Sequence, residues 1–392
     1  MQEVTTQVIR PDAGFVTELM ENGGATLKKC FQCGNCSVVC NISPEEAPFP
    51  RKEMIWAQWG LKDRLLSDGD VWLCHQCNDC STHCPRGAKP GDVLAAARNI
   101  MFSHYASFGF LGKWLSKPAY LPALFIIPLV WIYGFISLGA KPDFVNIKPM
   151  QYGNMMPELA IDMAFIPAVV FAVVAAFMSV KKFWGELNKA ARAEGSLISA
   201  MIGAAIGVGR HEKMGKCVTN APRFKSHLFT MYGFIALMIT TAMVGTLYWA
   251  HELGMIGFEY HQIGLSHPAR LTVKLVGNLG ALMALAGVGM IIARRYGAAK
   301  DSVGVTGYYD SFFIFTLFIT IASGILSEIL RVLDVASLGF GVYYVHLVFV
   351  FVLLVYAPFS KFAHLLYRFT ALTHARMTQR ERAWAADHAV TN

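Results

Sequence analysis

The stretch that decides the fold is "CFQCGNCSVVCN" at residues 30–41, and it recurs as "CHQCNDCSTHCP" at residues 74–85. In both stretches, four cysteines are separated by two, two and three residues. The eight positions are Cys30, Cys33, Cys36, Cys40, Cys74, Cys77, Cys80 and Cys84. In a reducing compartment, cysteines at such close, repeated spacing are metal ligands rather than disulfide partners.

This spacing is that of bacterial ferredoxins with two [4Fe–4S] clusters, in which the fourth cysteine of each run binds the other cluster. It predicts one cluster on Cys30, Cys33, Cys36 and Cys84, and a second on Cys74, Cys77, Cys80 and Cys40. The alternative is zinc, but zinc sites normally use pairs of C-x2-C rather than two complete runs. With eight thiolates available, His75 is not expected to be a ligand.

The rest of the chain is far more apolar than a soluble protein. Of the 392 residues, 55% are hydrophobic and 15% are charged, against roughly 25% charged in soluble proteins. A membrane span needs about 20 mainly apolar residues. Six stretches meet that length, and they are residues 119–139, 159–180, 228–250, 271–293, 311–330 and 342–363.

The distribution of basic residues predicts the orientation of these spans. Nine Lys and Arg lie in the loop 181–226, whereas the loop 251–270 has Arg270 alone and the loop 331–341 has Arg331 alone. Cytoplasmic loops are enriched in Lys and Arg, so we expect a multi-pass protein of the cytoplasmic membrane with both termini inside. The N-terminus has no apolar signal-peptide core. The net charge of +8 then reflects these loops and not nucleic acid binding.

Histidines within membrane spans are costly and indicate function. His346 and His364 are 18 residues apart, which is five turns of one continuous helix, with both side chains on one face about 27 Å apart. Two haems b, each with an axial imidazole from this helix, fit that arrangement. The facing helix is the third span, which predicts the pairs His227 with His364 and His251 with His346. Because His227 and His251 lie about 120° apart on an ideal helix, His261 or His267 is the alternative to His251.

These patterns predict a mainly α fold. Residues 1–112 form a helical ferredoxin-type domain with two iron–sulfur clusters. Residues 113–368 form a six-helix transmembrane cytochrome b bundle, and residues 369–392 form a cytoplasmic tail.

The sequence "VHLVFVFVLLVYAPFSKFAHLLYRF" at 345–369 resembles the last helix of the nitrate reductase gamma subunit, a dihaem b quinol oxidase. The resemblance extends over about residues 224–376 and supports His346 and His364 as haem ligands. In its position, Lys274 resembles a lysine in the quinol site of that family. We therefore predict that Lys274 and His267 bind a quinone beside the haem of His346. The alternative is that Lys274 extends to the membrane surface.

The whole chain resembles a fusion of the C and E subunits of heterodisulfide reductase, as in the C subunits of quinone-interacting membrane-bound oxidoreductases of sulfate reducers. That resemblance implies flavin and iron–sulfur partner subunits in the cytoplasm, exchange with the menaquinone pool, and adenylylsulfate reductase as the enzyme served in sulfate respiration. The expected function is an electron-transfer subunit of a quinone-linked oxidoreductase. One alternative is the membrane arm of a heterodisulfide reductase-like complex. Another is a non-catalytic membrane anchor or redox-sensing scaffold.

Overall fold

The computed structural model describes residues 9–44, 47–211, 213–216, 219, 221–297, 303–378 and 380. Over these ranges the regular structure is helical, with no strand, which confirms the mainly α prediction. The first eight residues and the second half of the predicted tail, 381–392, lie outside the described residues.

The N-terminal part of the chain, called the head below, consists mainly of short helices, and its buried apolar residues are continuous with those of the bundle. Short helices are expected here because the metal-binding loops interrupt the chain every few residues. The helices are α1 (Ala13–Leu19), α2 (Asn35–Val38), α3 (Arg51–Gln58), α4 (Lys62–Leu66), α5 (Asp70–Leu73), α6 (Asp79–Thr82), α7 (Pro90–Tyr105) and α8 (Gly109–Leu115).

The two cysteine runs have the same backbone conformation. Gln32 and Gln76, at equivalent positions, have φ of 59° and 52°, and Gly34 and Asn78 have φ of 88° and 69°. Glycine and asparagine are the residues that enter this left-handed region most readily. Each run then begins a one-turn helix, α2 or α6. The sequence repeat is therefore also a structural repeat.

Six long apolar helices follow, as the hydropathy pattern predicts. Each is long and apolar enough to cross a membrane, which confirms the expectation of a multi-pass protein. They are α9 (Leu121–Gly139), α10 (Glu158–Ala190), α12 (Pro222–Glu252), α13 (Pro268–Tyr296), α14 (Tyr308–Val332) and α15 (Ala336–Val355). α12 packs on α13, α13 on α14, and α14 on α15.

The last span differs from the prediction of one helix over 342–363. α15 ends at Val355, two short 3₁₀ turns follow, and a separate helix, α16, runs from His364 to Met377. Pro358 lacks the N–H that a continuous helix needs, and Ser360 is extended, with its hydroxyl capping Phe362 N at 3.2 Å. The five-turn argument for His346 and His364 is therefore wrong, because the two residues lie on different helices.

The head packs against the end of the bundle that carries the basic loops. Thr219 N donates to Asp79 Oδ1 at 2.8 Å, and Val305 N donates to Asp92 Oδ1 at 3.2 Å. The short apolar helix α11 (Leu197–Arg210) lies at this end as well, where it packs on α16. The head, these two loops and α16 thus share one end of the bundle, as the charge pattern predicts.

A buried charge cluster joins the head to the start of the tail. The Lys52 ammonium lies 3.3 Å from Glu53, 3.0 Å from Asp68 and 2.8 Å from Asp70. Arg380 Nε donates to Asp70 at 2.7 Å. Three carboxylates therefore face two cations. Burial, and next the charge of Asp68, raise the pKa of Glu53 well above its usual range.

We predict that Glu53→Gln changes how stability depends on pH. The raised pKa means that folded Glu53 keeps its proton while the unfolded chain releases it, so wild-type stability falls as pH rises above the ordinary Glu pKa of about 4.3. The slope is at most about 1.4 kcal/mol per pH unit. The variant should lose less stability than the wild type between about pH 5 and about pH 8. Stability is measured as the temperature at which cluster absorbance is lost.

Glu21→Gln, at an exposed position, is the control and should follow the pH profile of the wild type. Identical pH profiles for wild type and Glu53→Gln would contradict the prediction.

Candidate functional site

The first three cysteines of the second run form a pocket together with the last cysteine of the first run. Cys40, Cys74, Cys77 and Cys80 line this pocket, with Asn78 and Ile42 beside them. Burial, and to a smaller extent the neighbouring Cys74 and Cys77, raises the pKa of the Cys40 thiol. Backbone N–H donors lower this pKa, and the result of all these effects is a value of about 12. Four thiols this close repel one another as thiolates, and a bound cation removes that repulsion.

The other four thiols also form a group. Cys30, Cys33 and Cys84 each interact electrostatically with Cys36, whose pKa rises to about 11 mainly through burial. The eight cysteines of the two runs are free thiols in the structure. The structure thus brings together the thiols that the interleaved prediction groups. Which thiols bind which cluster stays a prediction.

Backbone N–H groups point at the cysteine sulfurs in a repeated pattern. Gln32 N donates to Cys30 Sγ at 3.4 Å, and Gln76 N donates to Cys74 Sγ at 3.3 Å. Ala88 N donates to Cys84 Sγ at 3.4 Å. Such donors stabilise the negative charge of metal-bound sulfur. Four grouped thiols with these donors suit a [4Fe–4S] cluster in each group.

Two arginines of the membrane bundle hold the loop of the second run. Arg223, on α12, donates to the carbonyl oxygens of His75 and Gln76, the latter at 2.9 Å. Arg368, on α16, donates to Trp72 O at 3.0 Å and to Cys74 O at 3.3 Å. The carbonyls of a metal-binding loop have no ladder partners, so these guanidinium groups satisfy acceptors that would otherwise be buried unpaired.

His75 is part of the same junction. Its Nε2 lies 2.9 Å from Arg368 Nη2, and the side chain is 9% exposed. Burial first, and the charge of Arg368 next, lower the pKa of His75, so the ring is neutral and accepts from the arginine. His75 is therefore a contact between the head and the bundle.

The predicted pair His227 and His364 comes together beside these arginines. The ring centroids of the two imidazoles are 6.4 Å apart, with the planes at 80°. His364 Nδ1 lies 2.7 Å from Lys361 O, and His227 Nδ1 lies 2.9 Å from His211 Nε2. In both residues Nδ1 is engaged, which leaves Nε2 as the atom able to bind a metal. This is the usual arrangement of metal-ligating histidines, whose second nitrogen donates to an acceptor.

His346 shows the same arrangement on the other side of the helix break. Its Nδ1 lies 3.0 Å from Thr320 O and 3.2 Å from Ser323 Oγ on α14. A Cβ at Gly324 would lie 2.9 Å from His346 Cε1, so glycine is needed for the ring to lie against α14. His346 is thereby oriented with Nε2 available.

His251 does not join His346. Among the residues that the structure describes, no hydrogen bond or ring contact links the two side chains, and His251 Nδ1 is buried without a hydrogen-bond partner. Of the two alternatives, His261 instead pairs with Glu158 at 3.1 Å. His267 caps α13, where its Nδ1 accepts from Ala269 N at 3.3 Å. The fourth haem ligand therefore stays a prediction, on His251.

Lys274 forms an ion pair between two helices of the bundle. Its ammonium lies 2.6 Å from Glu328 Oε1 on α14, and Arg331 binds the same carboxylate at 3.1 Å. No contact between Lys274 and His267 is found among the described residues, and the ring of His267 packs on Phe258 instead. Glu328 is one helical turn beyond Gly324, which touches His346. The Lys274–Glu328 pair therefore lies close to His346.

Several residues of this site were missed in the sequence. Arg368 and Trp72 are 296 positions apart, so no local pattern connects them. Missed residues with direct contacts to the predicted site include His211, Arg223, Thr320, Glu328 and Arg368. The acidic residue Glu328 within an apolar span was a signal that could have been used.

Two family models match the chain. The 4Fe-4S dicluster domain matches residues 26–88, which confirms the expectation of two [4Fe–4S] clusters in the head. The citrate utilization protein B model matches residues 166–387, more than half of the chain. No solved structure matches.

Similar proteins match either the head or nearly the whole chain. The C subunit of the H(2):CoB-CoM heterodisulfide,ferredoxin reductase of Methanothermobacter marburgensis is 39% identical over 89 residues, 22% of this chain and 48% of that protein. A protein of Archaeoglobus profundus, named for its likeness to the C subunit of heterodisulfide reductase, is 37% identical over 89 residues, 22% of this chain and 47% of that protein. The chain spans about half the length of these relatives. Citrate utilization protein B of Escherichia coli is 24% identical over 383 residues, 92% of this chain and 93% of that protein.

The grouping of the thiols predicts which cluster each substitution damages. Cys40→Ser should alter the paramagnetic resonance spectrum of the reduced protein in the same way as Cys77→Ser, because both remove a thiol from the same pocket. Cys33→Ser is the control and should give a different spectrum, from loss of the other cluster. If Cys40→Ser instead resembles Cys33→Ser, each run binds its own cluster and the interleaved assignment is wrong.

Proposed function

The chain belongs to the citrate utilization protein B family, and we propose that it carries electrons between membrane quinones and cytoplasmic redox subunits. In this proposal two haems b in the bundle and two [4Fe–4S] clusters in the head supply the one-electron carriers. The membrane quinone is menaquinone, and the head and tail are cytoplasmic.

The observation that carries the proposal is the position of the two arginines relative to the two histidines. Arg223 precedes His227 by four residues, and Arg368 follows His364 by four residues, so each pair is separated by about one helical turn, or about 6 Å. The same two helix ends thus hold both the second cysteine loop and the paired imidazoles. A redox centre at His227 and His364 would lie beside the cluster of the second run, which is the adjacency that electron transfer needs.

The histidines fit haem binding for a further reason. His227, His364 and His346 each have Nδ1 engaged by an acceptor that belongs to the protein. A fixed tautomer and ring direction are what an axial ligand requires. His227 and His364 would hold the haem next to the head, and His346 with His251 would hold the haem at the opposite end.

The quinone would bind near His346. Oxidation of a quinol releases two electrons and two protons, so the site needs a proton acceptor as well as a carrier. Lys274 and Glu328 form an ion pair there that can exchange hydrogen bonds with a head group and accept a proton. Tyr152 donates to Ser327 O, next to Glu328, at 2.6 Å and stacks on Tyr343 at 4.0 Å between ring centroids. His267 would lie at its entrance.

The cytoplasmic partners we propose are flavin and iron–sulfur subunits of one complex, which exchange electrons with adenylylsulfate reductase in sulfate respiration. The resemblance of the chain to the C subunits of quinone-interacting oxidoreductases supports this partner. The match over 92% of the chain to a protein named for citrate utilization favours a second candidate, in which the same conduit serves an enzyme of citrate utilization. Adding each purified enzyme to the reduced chain and following reoxidation of the clusters separates the two.

The experiment that tests the conduit is reduction by a menaquinol analogue, followed by optical and paramagnetic resonance spectra. Reduced haem b bands and reduced clusters should both appear. His346→Ala and His364→Ala should each remove about half of the haem, because a haem with one axial ligand is poorly held. His374→Ala is the matched control: it lies on the same helix as His364, bonds Ala191 O at 2.9 Å and should keep all haem. Full haem content in both His346→Ala and His364→Ala would refute the assignment.

Lys274→Ala tests the quinone site. The rate of haem reduction by the menaquinol analogue should fall about ten- to hundredfold, which corresponds to loss of one hydrogen bond to a charged group, with haem content unchanged. Lys148→Ala is the control, since Lys148 forms a similar ion pair with Asp334 at 2.8 Å in an exposed loop at the same end of the bundle. A wild-type rate and wild-type inhibitor sensitivity in Lys274→Ala would place the quinone site elsewhere.

A further inference from the structure

The structural repeat of the head gives two equivalent faces, one buried against the bundle and one exposed. Phe31 and His75 occupy the same position in the two runs, directly after the first cysteine. His75 is 9% exposed and lies against Arg368 of the bundle, whereas Phe31 is 67% exposed. The face around His75 is thus occupied by the membrane arm, and the face around Phe31 is open.

The open face has its own arginines. Arg51 Nε donates to Gln32 O at 2.8 Å, as Arg223 donates to the equivalent Gln76 O. The Arg86 guanidinium lies 4.1 Å from the centre of the Phe31 ring. Because these cations come from the head itself, the loop carbonyl is already satisfied, and the remaining positive charge is available to another molecule.

The charged residues nearest to Phe31 in the sequence are basic, as are Arg51 and Arg86, which contact its ring or its loop. Lys28, Lys29, Arg51 and Arg86 are all exposed. Neither residues 26–41 nor residues 81–91 contain Asp or Glu. Cys33, a predicted ligand of the first cluster, is exposed on the same loop. A protein that docks here would reach this cluster directly, and its surface should be acidic.

We propose that the face formed by Phe31, Cys33, Arg86, Arg51, Lys28 and Lys29 is the docking surface for an acidic electron-transfer subunit. The inference rests on the proposed function and adds the place of exchange: electrons pass between the partner and the cluster of Cys30, Cys33, Cys36 and Cys84. Phe31 is the apolar centre of the contact and the basic side chains are its rim. An exposed aromatic residue ringed by charge is the usual composition of such an interface.

The first test uses small redox probes, so it does not depend on quinone chemistry. The purified full chain is reduced with dithionite and mixed with ferricyanide, an anion, or with hexaammineruthenium(III), a cation. Arg86→Glu should slow oxidation by ferricyanide about fivefold at low salt and speed oxidation by the cation. Both effects should vanish at high salt. Lys113→Glu, at an exposed position of the head on α8, should leave the ratio of the two rates unchanged, and equal ratios in the two variants would overturn the proposal.

The second test uses the complex isolated from its native host. Phe31→Glu combined with Arg86→Glu should lower the ratio of co-purified flavin to [4Fe–4S] iron at least about fivefold, with iron per chain unchanged as evidence that the head is folded. The Lys113→Glu complex should keep its flavin. Retention of flavin by the double variant would show that the partner docks elsewhere, even if menaquinol still reduces the clusters. Failure of that reduction in the wild type would instead refute the proposed function and leave the docking result standing.

Discussion

The contact of Arg223 and Arg368 with the loop of the second cysteine run is the interaction on which the arrangement of the molecule depends. A metal-binding loop offers carbonyl oxygens with no regular partner, and two guanidinium groups from separate helices bind four of them. Around this contact, Trp72 stacks on Tyr367 at 5.0 Å and packs edge-on against Phe102 at 5.2 Å. The polar and aromatic contacts together fix the head on the bundle, since neither the loop nor the arginines could be buried alone without cost.

His227 and His364 depend on the same end of the bundle for their orientation. His227 donates to His211, which in turn contacts Gly209 O at 3.2 Å, so the direction of one imidazole is set by a chain of two hydrogen bonds that leads into a basic loop. His364 is oriented by the turn just before it. Because the loop and the turn also border the head, the geometry of the paired imidazoles and the position of the second cysteine loop are set by shared residues.

Spacing and hydropathy predict those features that are encoded locally. The cysteine grouping follows from two runs of twelve residues, and the six long helices follow from length and apolar content. The break after Val355 was not predicted, because "APFS" lies within an apolar stretch and proline is tolerated in membrane helices. Pairing histidines by topology assumes regular helices, and the pair of His251 with His346 stays a prediction. The contacts of Arg368, Arg223 and Glu328 join residues far apart in the chain. The periodicity of a sequence describes neighbouring residues and therefore does not predict such contacts.

The break between α15 and α16 separates the helix that spans the bilayer from the helix that contacts the head. α15 has 20 residues and is therefore about 30 Å long, close to the thickness of the hydrocarbon core by itself. α16 is held by the head through Trp72, His75 and α5. A bilayer of different thickness would be accommodated by tilting of α15, and the extended residue Ser360 between the helices can take up that rotation. The imidazole of His364 and the cysteine loop beside it would then keep their spacing while the membrane part of the chain adjusts to its lipid surroundings.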